Sequence, residues 1–548
     1  MKNLVIVESP SKSKTIEKYL GDDFQVVSSK GHIRDLATTG KGGLGIDIEN
    51  NFTPTYKVSS DKRAVVKELK ALAKKSDHVY LASDPDREGE AIAWHLAQVL
   101  ELNMENDNRI IFNEITKKAV LEAFQHPRTI DQDLVKSQEA RRMLDRIIGF
   151  KLSKLLQSKI KSKSAGRVQS VALRLIVERE NEIRRFKSEE YWTLHANVKK
   201  DNKAFSAQLI KIDGKKAKLK TQEETDAIIA RLNEFHVASI EKKVRKKEAK
   251  MPFITSTLQQ EASTKLGYGA KKTMQIAQKL YEGIALGGHT EGLISYMRTD
   301  STRLSQVFVN DAFAYIENEF GKEYKGKARQ KNDEHAQDAH EAIRPTNIHN
   351  TPEKVKQYLT NEQYRLYKLI YARAVASLMA ASKSNVVNAI IRSDNCDFSA
   401  NGSMLAFDGY LKMYGDYEST KDEMLPELIE NELLKQVELE GKQHFTEPPL
   451  RYSEARLIKE LEEKGIGRPS TYAIIIDTLQ ARGYVSLERQ SEGSKTKVFV
   501  PSEQGELTDA KLQEFFSSII NVTYTADMEG HLDEIAAGDR NNIEEVRT

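Results

Sequence analysis

Asp84-Pro85-Asp86-Arg87-Glu88-Gly89-Glu90 follows an apolar strand pattern and opens a helical one, so several carboxylates crowd one strand end. That crowding calls for a cation. Oxygen ligands of this kind suit Mg²⁺, which is commonly held by one or two carboxylates while keeping waters for substrate phosphates. Glu8 closes the first strand, just before Ser9-Pro10-Ser11-Lys12, and would face the same edge, where open α/β sheets bind ligands. Acidic residues also cap helix starts, and Glu8 alone fits a plain strand end as well, but three acids around Gly89 exceed that need. The second constellation is Tyr296-Met297-Arg298, inside the stretch Gly292 to Ser301. It offers a phenolic nucleophile beside a fixed cation whose planar fork suits phosphate charge. Taken alone, Tyr-x-Arg is equally the pattern of an ordinary buried or surface tyrosine.

The elements that must position these groups alternate in period. Strands are expected at Leu4 to Val7, Phe24 to Ser28, His78 to Ser83 and Arg109 to Asn113, with helices at Thr15 to Leu20, Ala64 to Ala73, Glu88 to Leu100 and Thr116 to Phe124. A parallel sheet covered by helices follows for residues 1 to about 150, with a flexible excursion around Thr39 to Gly45. Lys151 to Arg167 carries basic residues and no acid, and Val168 to Phe186 reads as a helix. Residues 190 to 250 read as strands (Tyr191 to Val198, Ala204 to Ile212, His236 to Val244), and Asn385 to Tyr414 as strands again. They bracket a helical block that opens at a capping box beginning with Ser256 and includes helices at Lys271 to Tyr281 and Ser305 to Phe320, the block running to about Lys383. The basic stretch Lys322 to Asn332 is expected to be an exposed loop. The last unit has a helix from Ser453 to Lys464, a Gly-rich turn, a second helix capped by Ser470, and strands at Tyr484 to Leu487 and Lys497 to Pro501. That is a winged helix-turn-helix pattern.

Composition narrows the class. A chain of 548 residues predicts three or four domains at about 150 residues each. With 39% hydrophobic and 30% charged residues, a soluble multidomain protein is expected rather than a disordered or membrane one. No apolar run suits a membrane span, and Met1 to Val7 is too short for a signal peptide, so a cytoplasmic location is expected. The lone Cys396 excludes an internal disulfide framework and a Cys-rich zinc site. A net charge of +3 leaves affinity for nucleic acid to local clustering.

Glu8 together with Asp-x-Asp-x-Glu at 84–88 resembles the toprim domain of topoisomerases, primases and some nucleases. Joined to Tyr-Met-Arg-Thr-Asp-Ser at 296–301, the pattern resembles the type IA DNA topoisomerases. It is nearer the bacterial topoisomerase I branch than the topoisomerase III branch, where proline is expected at the position of Met297. The motif around His32 matches the family's toprim loop, and Ala140 to Arg146, with Arg141, Arg142, Asp145 and Arg146, its DNA-contacting helix. Ser164-Ala165-Gly166-Arg167-Val168-Gln169, the Asp338 to Pro345 stretch with His340, and the Gly467 to Tyr472 stretch with Arg468 and Thr471 also match. These residues and Arg298 are the implied DNA contacts; His340 by itself would fit a satisfied surface or core histidine.

The resemblance implies ATP-independent relaxation of negatively supercoiled DNA through a transient single-strand break. Tyr296 would be the nucleophile, left with the 5′ phosphate and aided by Arg298 and Lys12. Glu8 would be a general acid or shared metal ligand, Asp84 and Asp86 the principal Mg²⁺ ligands, and Glu88 an outer or second-site ligand. The partner is DNA with single-stranded regions, and a monomer is expected. The implied fold is multidomain α/β plus α plus β, arranged as a toroid. Its parts are a toprim domain (1–148, with an excursion at 37–62), a β-rich arch (191–254 and 383–450), an inserted helical domain (255–382) and a winged-helix base (149–190 and 451–548). A topoisomerase III-like decatenase and a non-catalytic single-strand-binding module are the alternatives. The chain stops in a helical pattern at Thr548 without the Cys-rich ribbons or basic repeats of many relatives, which predicts a boundary within a longer protein and weak plasmid relaxation.

Overall fold

Three strands set the edge on which the acidic residues stand. In the computed structural model, which describes residues 2–159, 166–329 and 340–547, β1 (Asn3–Val7) is central and pairs in parallel with β2 (Phe24–Ser28) and β3 (Val79–Leu81). Leu4, Val5 and Ile6 are buried on both faces, as parallel strands covered by helices require. Helix α1 (Pro10–Leu20) starts earlier than its apolar period suggests, because Ser9 caps it through Lys12 N at 3.2 Å and Pro10 suits the first turn. Helices α2 (Arg63–Lys74), α3 (Arg87–Val99) and α4 (Lys117–Phe124) complete the alternation.

The strand expected at Arg109 to Asn113 does not form; only single bridges join Arg109 to Leu81 and to Arg128. The reason is the Arg109 side chain, which is fully buried and donates to the carbonyls of Leu81, Ser83 and Asp84 and to Glu90. Ile110 N still reaches Leu81 O at 3.0 Å, but beyond it the guanidinium, rather than a fourth strand, meets the Ser83 and Asp84 carbonyls. Residues 39–45 are not featureless: a 3₁₀ turn at Lys41–Gly43 leads into a short Ile46–Asp47 strand.

Two long helices follow, α5 (Gln132–Lys159) and α6 (Arg167–Arg185). The second β-rich region is an antiparallel sheet built from β4 (Glu190–Lys200), β5 (Lys203–Ile212), β6 (Phe235–Lys247), β7 (Ser382–Ser393), β8 (Cys396–Phe407), β9 (Leu433–Leu434) and β10 (Gln436–Phe445), in spatial order β9-β6-β7-β8-β5-β4-β10. The stretch expected to be all strand from 190 to 250 also contains α7 (Gln222–Arg231), capped by Thr221, and Leu411–Tyr414, expected as strand, is a helical turn.

Between the two halves of that sheet lie α8 (Thr255–Glu261), α9 (Ala270–Glu282), α10 (Gln306–Glu319) and α11 (Asn361–Ala376), which ends short of the expected Lys383. Helix α8 does not start at Ser256: Ile254 precedes its first turn, Thr257 Oγ1 accepts from Ile254 N at 3.0 Å, and Ser256 is buried inside the helix. Of the stretch expected as an exposed basic loop, Lys322–Tyr324 is a 3₁₀ turn, and 330–332 lie outside the described residues.

The final unit comprises α12 (Glu454–Glu463), α13 (Tyr472–Ala481), the hairpin β11 (Val485–Arg489) with β12 (Lys497–Pro501), α14 (Glu503–Phe516) and α15 (Val522–Ala536). Ser470 does not cap α13; Thr471 takes the cap position, and its Oγ1 accepts instead from Arg468 N at 2.9 Å. Ile475, Ile476 and Leu479 join Leu457, Ile458 and Leu461 in one core with the inward face of α6.

Candidate active site

The edge of the parallel sheet holds a chain of charge. Lys12, wholly buried on the first turn of α1, donates to Glu8 Oε1 at 2.9 Å, Ala82 O at 3.0 Å and Asp84 Oδ1 at 3.1 Å. The other oxygen of Glu8 accepts from Asp84 N at 2.9 Å. Burial and the Asp84 charge push the Glu8 carboxyl up to about 8, against the opposing pull of Lys12. Burial alone would lower the Lys12 ammonium, but Asp84 and Glu8 outweigh it and keep Lys12 charged.

Asp86 is the N-cap of α3. Its Oδ1 accepts from Gly89 N at 2.7 Å, and its Oδ2 accepts the phenolic hydrogen of Tyr296. Burial and neighbouring Asp84 raise its pKa. Gly89 is required here, because a Cβ would stand 1.8 Å from Asp84 O. Glu88 turns away to His32 Nε2 at 3.0 Å, and the two side chains are 40% and 41% exposed. Glu90 takes no part in the acidic set, since Arg109, Arg128 and Asp131 N surround it.

Among the described residues no three His, Cys, Asp or Glu side chains converge as a ready metal cage. The expected quartet is therefore split: Lys12 lies between Glu8 and Asp84, Asp86 holds Tyr296, and Glu88 holds His32.

The Tyr296 turn is pinned by backbone bonds from two sides. Tyr296 N donates to Asn113 O at 2.8 Å, Gly292 N to Ile115 O at 2.7 Å, and Ser295 N to Arg344 O at 2.9 Å. Burial, Asp84 and Asp86 raise the Tyr296 pKa well above its ordinary value, with Arg298 opposing. Arg298 itself is kept charged, against burial, by Tyr296, Asp86 and Asp84. His340 reaches the same turn from another segment, its Nε2 2.5 Å from Pro85 O and its ring 6.4 Å from that of Tyr296.

A cleft of ≈ 530 Å³ runs from Asp86 and Arg298 past His340 to Arg87, Arg141 and Arg468. The arginines expected to meet DNA are already engaged. Arg141 grips Glu529 through both Nη atoms at 2.8 and 2.6 Å, and Arg167 donates to Asp145 at 3.1 Å with Glu529 at 3.7 Å. Arg468 donates to Asp533 Oδ2 at 2.8 Å, and Arg87 donates to the other oxygen of the same carboxylate. Arg142 holds the exposed Asp35 at 3.0 and 2.7 Å, whereas Arg146 is spent on the carbonyls of Leu36, Ala37 and Leu44. The expectation that Arg146 contacts DNA as Arg142 does is not met in this structure: Arg146 is buried and fastens a loop. Gly166 caps α6, where a Cβ would meet Gln169 Oε1 at 2.3 Å, and Val168 is core. Ser164 and Ala165 lie outside the described residues.

Residues 129–547 match the family model described as DNA topoisomerase, and residues 3–115 that of the Toprim domain. The chain belongs to the bacterial type IA DNA topoisomerases. Its fold is also that of a solved relative, full-length topoisomerase I from Thermotoga maritima, with 40% identity, a TM-score of 0.89, and coverage of 99% of this chain and 88% of the other. The topoisomerase is thus an isomerase that relaxes DNA by strand cleavage and passage, a mixed α/β multidomain protein with DNA as substrate. No helix among its described residues is long and apolar enough to cross a membrane.

Sequence reasoning missed Arg87, Tyr281, Glu529 and Asp533. The last two carried a signal, being four apart on a helix and so on one face. Tyr281 carried none, because its place beside Tyr296 comes from packing.

Proposed function

We propose that this topoisomerase cleaves single-stranded regions of negatively supercoiled DNA through Tyr296, which retains the 5′ phosphate. The observation that carries the reading is the Tyr296 hydroxyl bonded to Asp86, with Arg298 beside it and the Glu8–Lys12–Asp84 chain across the same edge. Tyr296 Oη attacks phosphorus as the bond to the 3′ oxygen breaks. The phenolic proton has an acceptor in Asp86 Oδ2, and Glu8, with its raised pKa, can deliver a proton to the leaving oxygen. Lys12 and Arg298 offset charge on the phosphoryl oxygens. Religation is the reverse, and exchange of one phosphate ester for another needs no nucleotide.

The donor set fits Mg²⁺: it is all oxygen, and Asp86 is raised by burial first and by the neighbouring Asp84 charge second, both of which a divalent cation would offset. Asp84 and Asp86 would hold it, with Glu88 outside. Bound there, it would supply charge neutralisation for the phosphate and lower the penalty on the phenolate. Family likeness further supports four domains around a hole with the boundaries given above, a monomer, and work in the cytoplasm.

Trapping the covalent adduct on a labelled single-stranded oligonucleotide tests this reading. Tyr296→Phe should abolish adduct and relaxation while oligonucleotide binding persists; a labelled adduct surviving the substitution would overturn it.

A further inference from the structure

The end of α9 brings a second phenol to the nucleophile. Tyr281 is fully buried, and its ring meets that of Tyr296 edge to face, with centroids 5.2 Å apart and planes at 64°. Its hydroxyl is enclosed with no hydrogen-bond partner. Buried tyrosine hydroxyls ordinarily find one. Elsewhere in the same core Tyr367 and Tyr371, as deeply buried, do so, donating to Asn350 O at 2.6 Å and Ile348 O at 2.5 Å.

The Tyr281 backbone leaves the side chain little freedom to turn elsewhere. Leu293 N bonds Leu280 O at 2.8 Å, and a Cβ on Gly292 would lie 2.3 Å from Tyr281 O. On the other side Glu282 accepts from Ser9 Oγ at 2.5 Å and, through its carbonyl, from Thr15 Oγ1 at 2.9 Å. The backbone at Tyr281 is therefore fastened between the Tyr296 turn and α1, which carries Lys12. Burial first, and then the charges of Asp84, Glu8, Asp86 and Glu282, keep its hydroxyl protonated. Its hydroxyl therefore keeps a hydrogen to donate, on a ring that packs against the ring of Tyr296.

We propose that Tyr281 is a further catalytic residue, whose hydroxyl donates a hydrogen bond to a non-bridging oxygen of the scissile phosphodiester and holds the phosphorus between Tyr296 and Glu8. This rests on Tyr296 being the nucleophile. The hydroxyl goes unpartnered in the free protein because its acceptor belongs to the substrate.

Tyr281→Phe removes one oxygen and keeps the ring contact. Single-turnover cleavage of a saturating oligonucleotide should slow about 100-fold, the scale of losing one preorganised donor. Binding of the same oligonucleotide should stay within about twofold, and the unfolding midpoint should hold or rise, because an unmet buried hydroxyl is gone. Tyr367→Phe, which removes a satisfied hydroxyl away from the site, should lower the midpoint and leave cleavage unchanged. Cleavage by Tyr281→Phe at the parent rate would overturn the proposal, and so would slowed cleavage accompanied by a lowered midpoint, which would make the hydroxyl a packing group. If Tyr296→Phe still forms adduct, it is the nucleophile assignment that fails; if only Tyr281→Phe is unimpaired, that assignment stands without this residue.

Discussion

Arg141 and Glu529, 388 residues apart in the chain, form a two-point ion pair in which the carboxylate is completely shut off from solvent. Arg167 and Arg468 add their charge to the same carboxylate, which is held far below the usual range although burial pulls the other way. Removing it leaves buried guanidinium groups uncompensated. Glu529→Gln should therefore destabilise the protein by about 3–5 kcal/mol, read as a lower unfolding midpoint. The pH dependence has a definite sign. A carboxylate with a depressed folded pKa contributes stability above its unfolded value of about 4.3, and loses it as pH falls toward the folded one. The stability gap between parent and Glu529→Gln should accordingly shrink in melts taken from pH 7 down to pH 3; a constant gap would mean that the ion pair is not its source.

Asp84→Ala combined with Asp86→Ala should abolish Mg²⁺-dependent relaxation while leaving oligonucleotide binding intact or tighter, because carboxylates that repel phosphate are gone. Relaxation measured across a Mg²⁺ titration checks this, and normal activity would contradict the ligand assignment.

Gly89→Ala probes the spacing between those two aspartates. A Cβ 1.8 Å from Asp84 O cannot be accommodated without moving that backbone, and Arg109 holds the same carbonyl at 2.7 Å. Relaxation should fall at least about tenfold, with the midpoint lowered by strain of about 1–3 kcal/mol. An alanine variant of full activity would show that the loop yields freely.

Arg142 and Arg146 should separate. Arg142 pairs with a half-exposed aspartate that a phosphate can replace, so Arg142→Ala should flatten the salt dependence of oligonucleotide binding by roughly one unit. Arg146→Ala instead frees three carbonyls and should lower the unfolding midpoint with little change in salt slope. Equal slopes for both variants would return Arg146 to the DNA face.

The toprim sheet was legible because Leu4 to Val7 is continuously apolar and Asp84 to Glu90 breaks the pattern with charge. The family was legible because Tyr296 and Arg298 lie in one motif that joins the acidic set at 84–88. Start and stop positions failed where one side chain, rather than the apolar period, decided them. Pro10 and Ser9 lengthened α1, Thr257 displaced the expected Ser256 cap, and the buried fork of Arg109 replaced a strand. The state of each site arginine was illegible for a related reason: a basic residue matching a DNA-contact motif looks the same whether it faces solvent, as Arg142 partly does, or is closed against Glu529, as Arg141 is. Only the fold of residues 522–536 over α5 tells them apart.

Ser9 lies between Glu8 and Lys12 in the chain and is also the residue that ties α1 to Glu282 at the end of α9. Fastening and chemistry therefore share one helical turn. Any movement that parts α9 from α1 must break the Ser9–Glu282 bond, so the position of the Glu8–Lys12 pair and the contact between the two helices are tied to one helical turn.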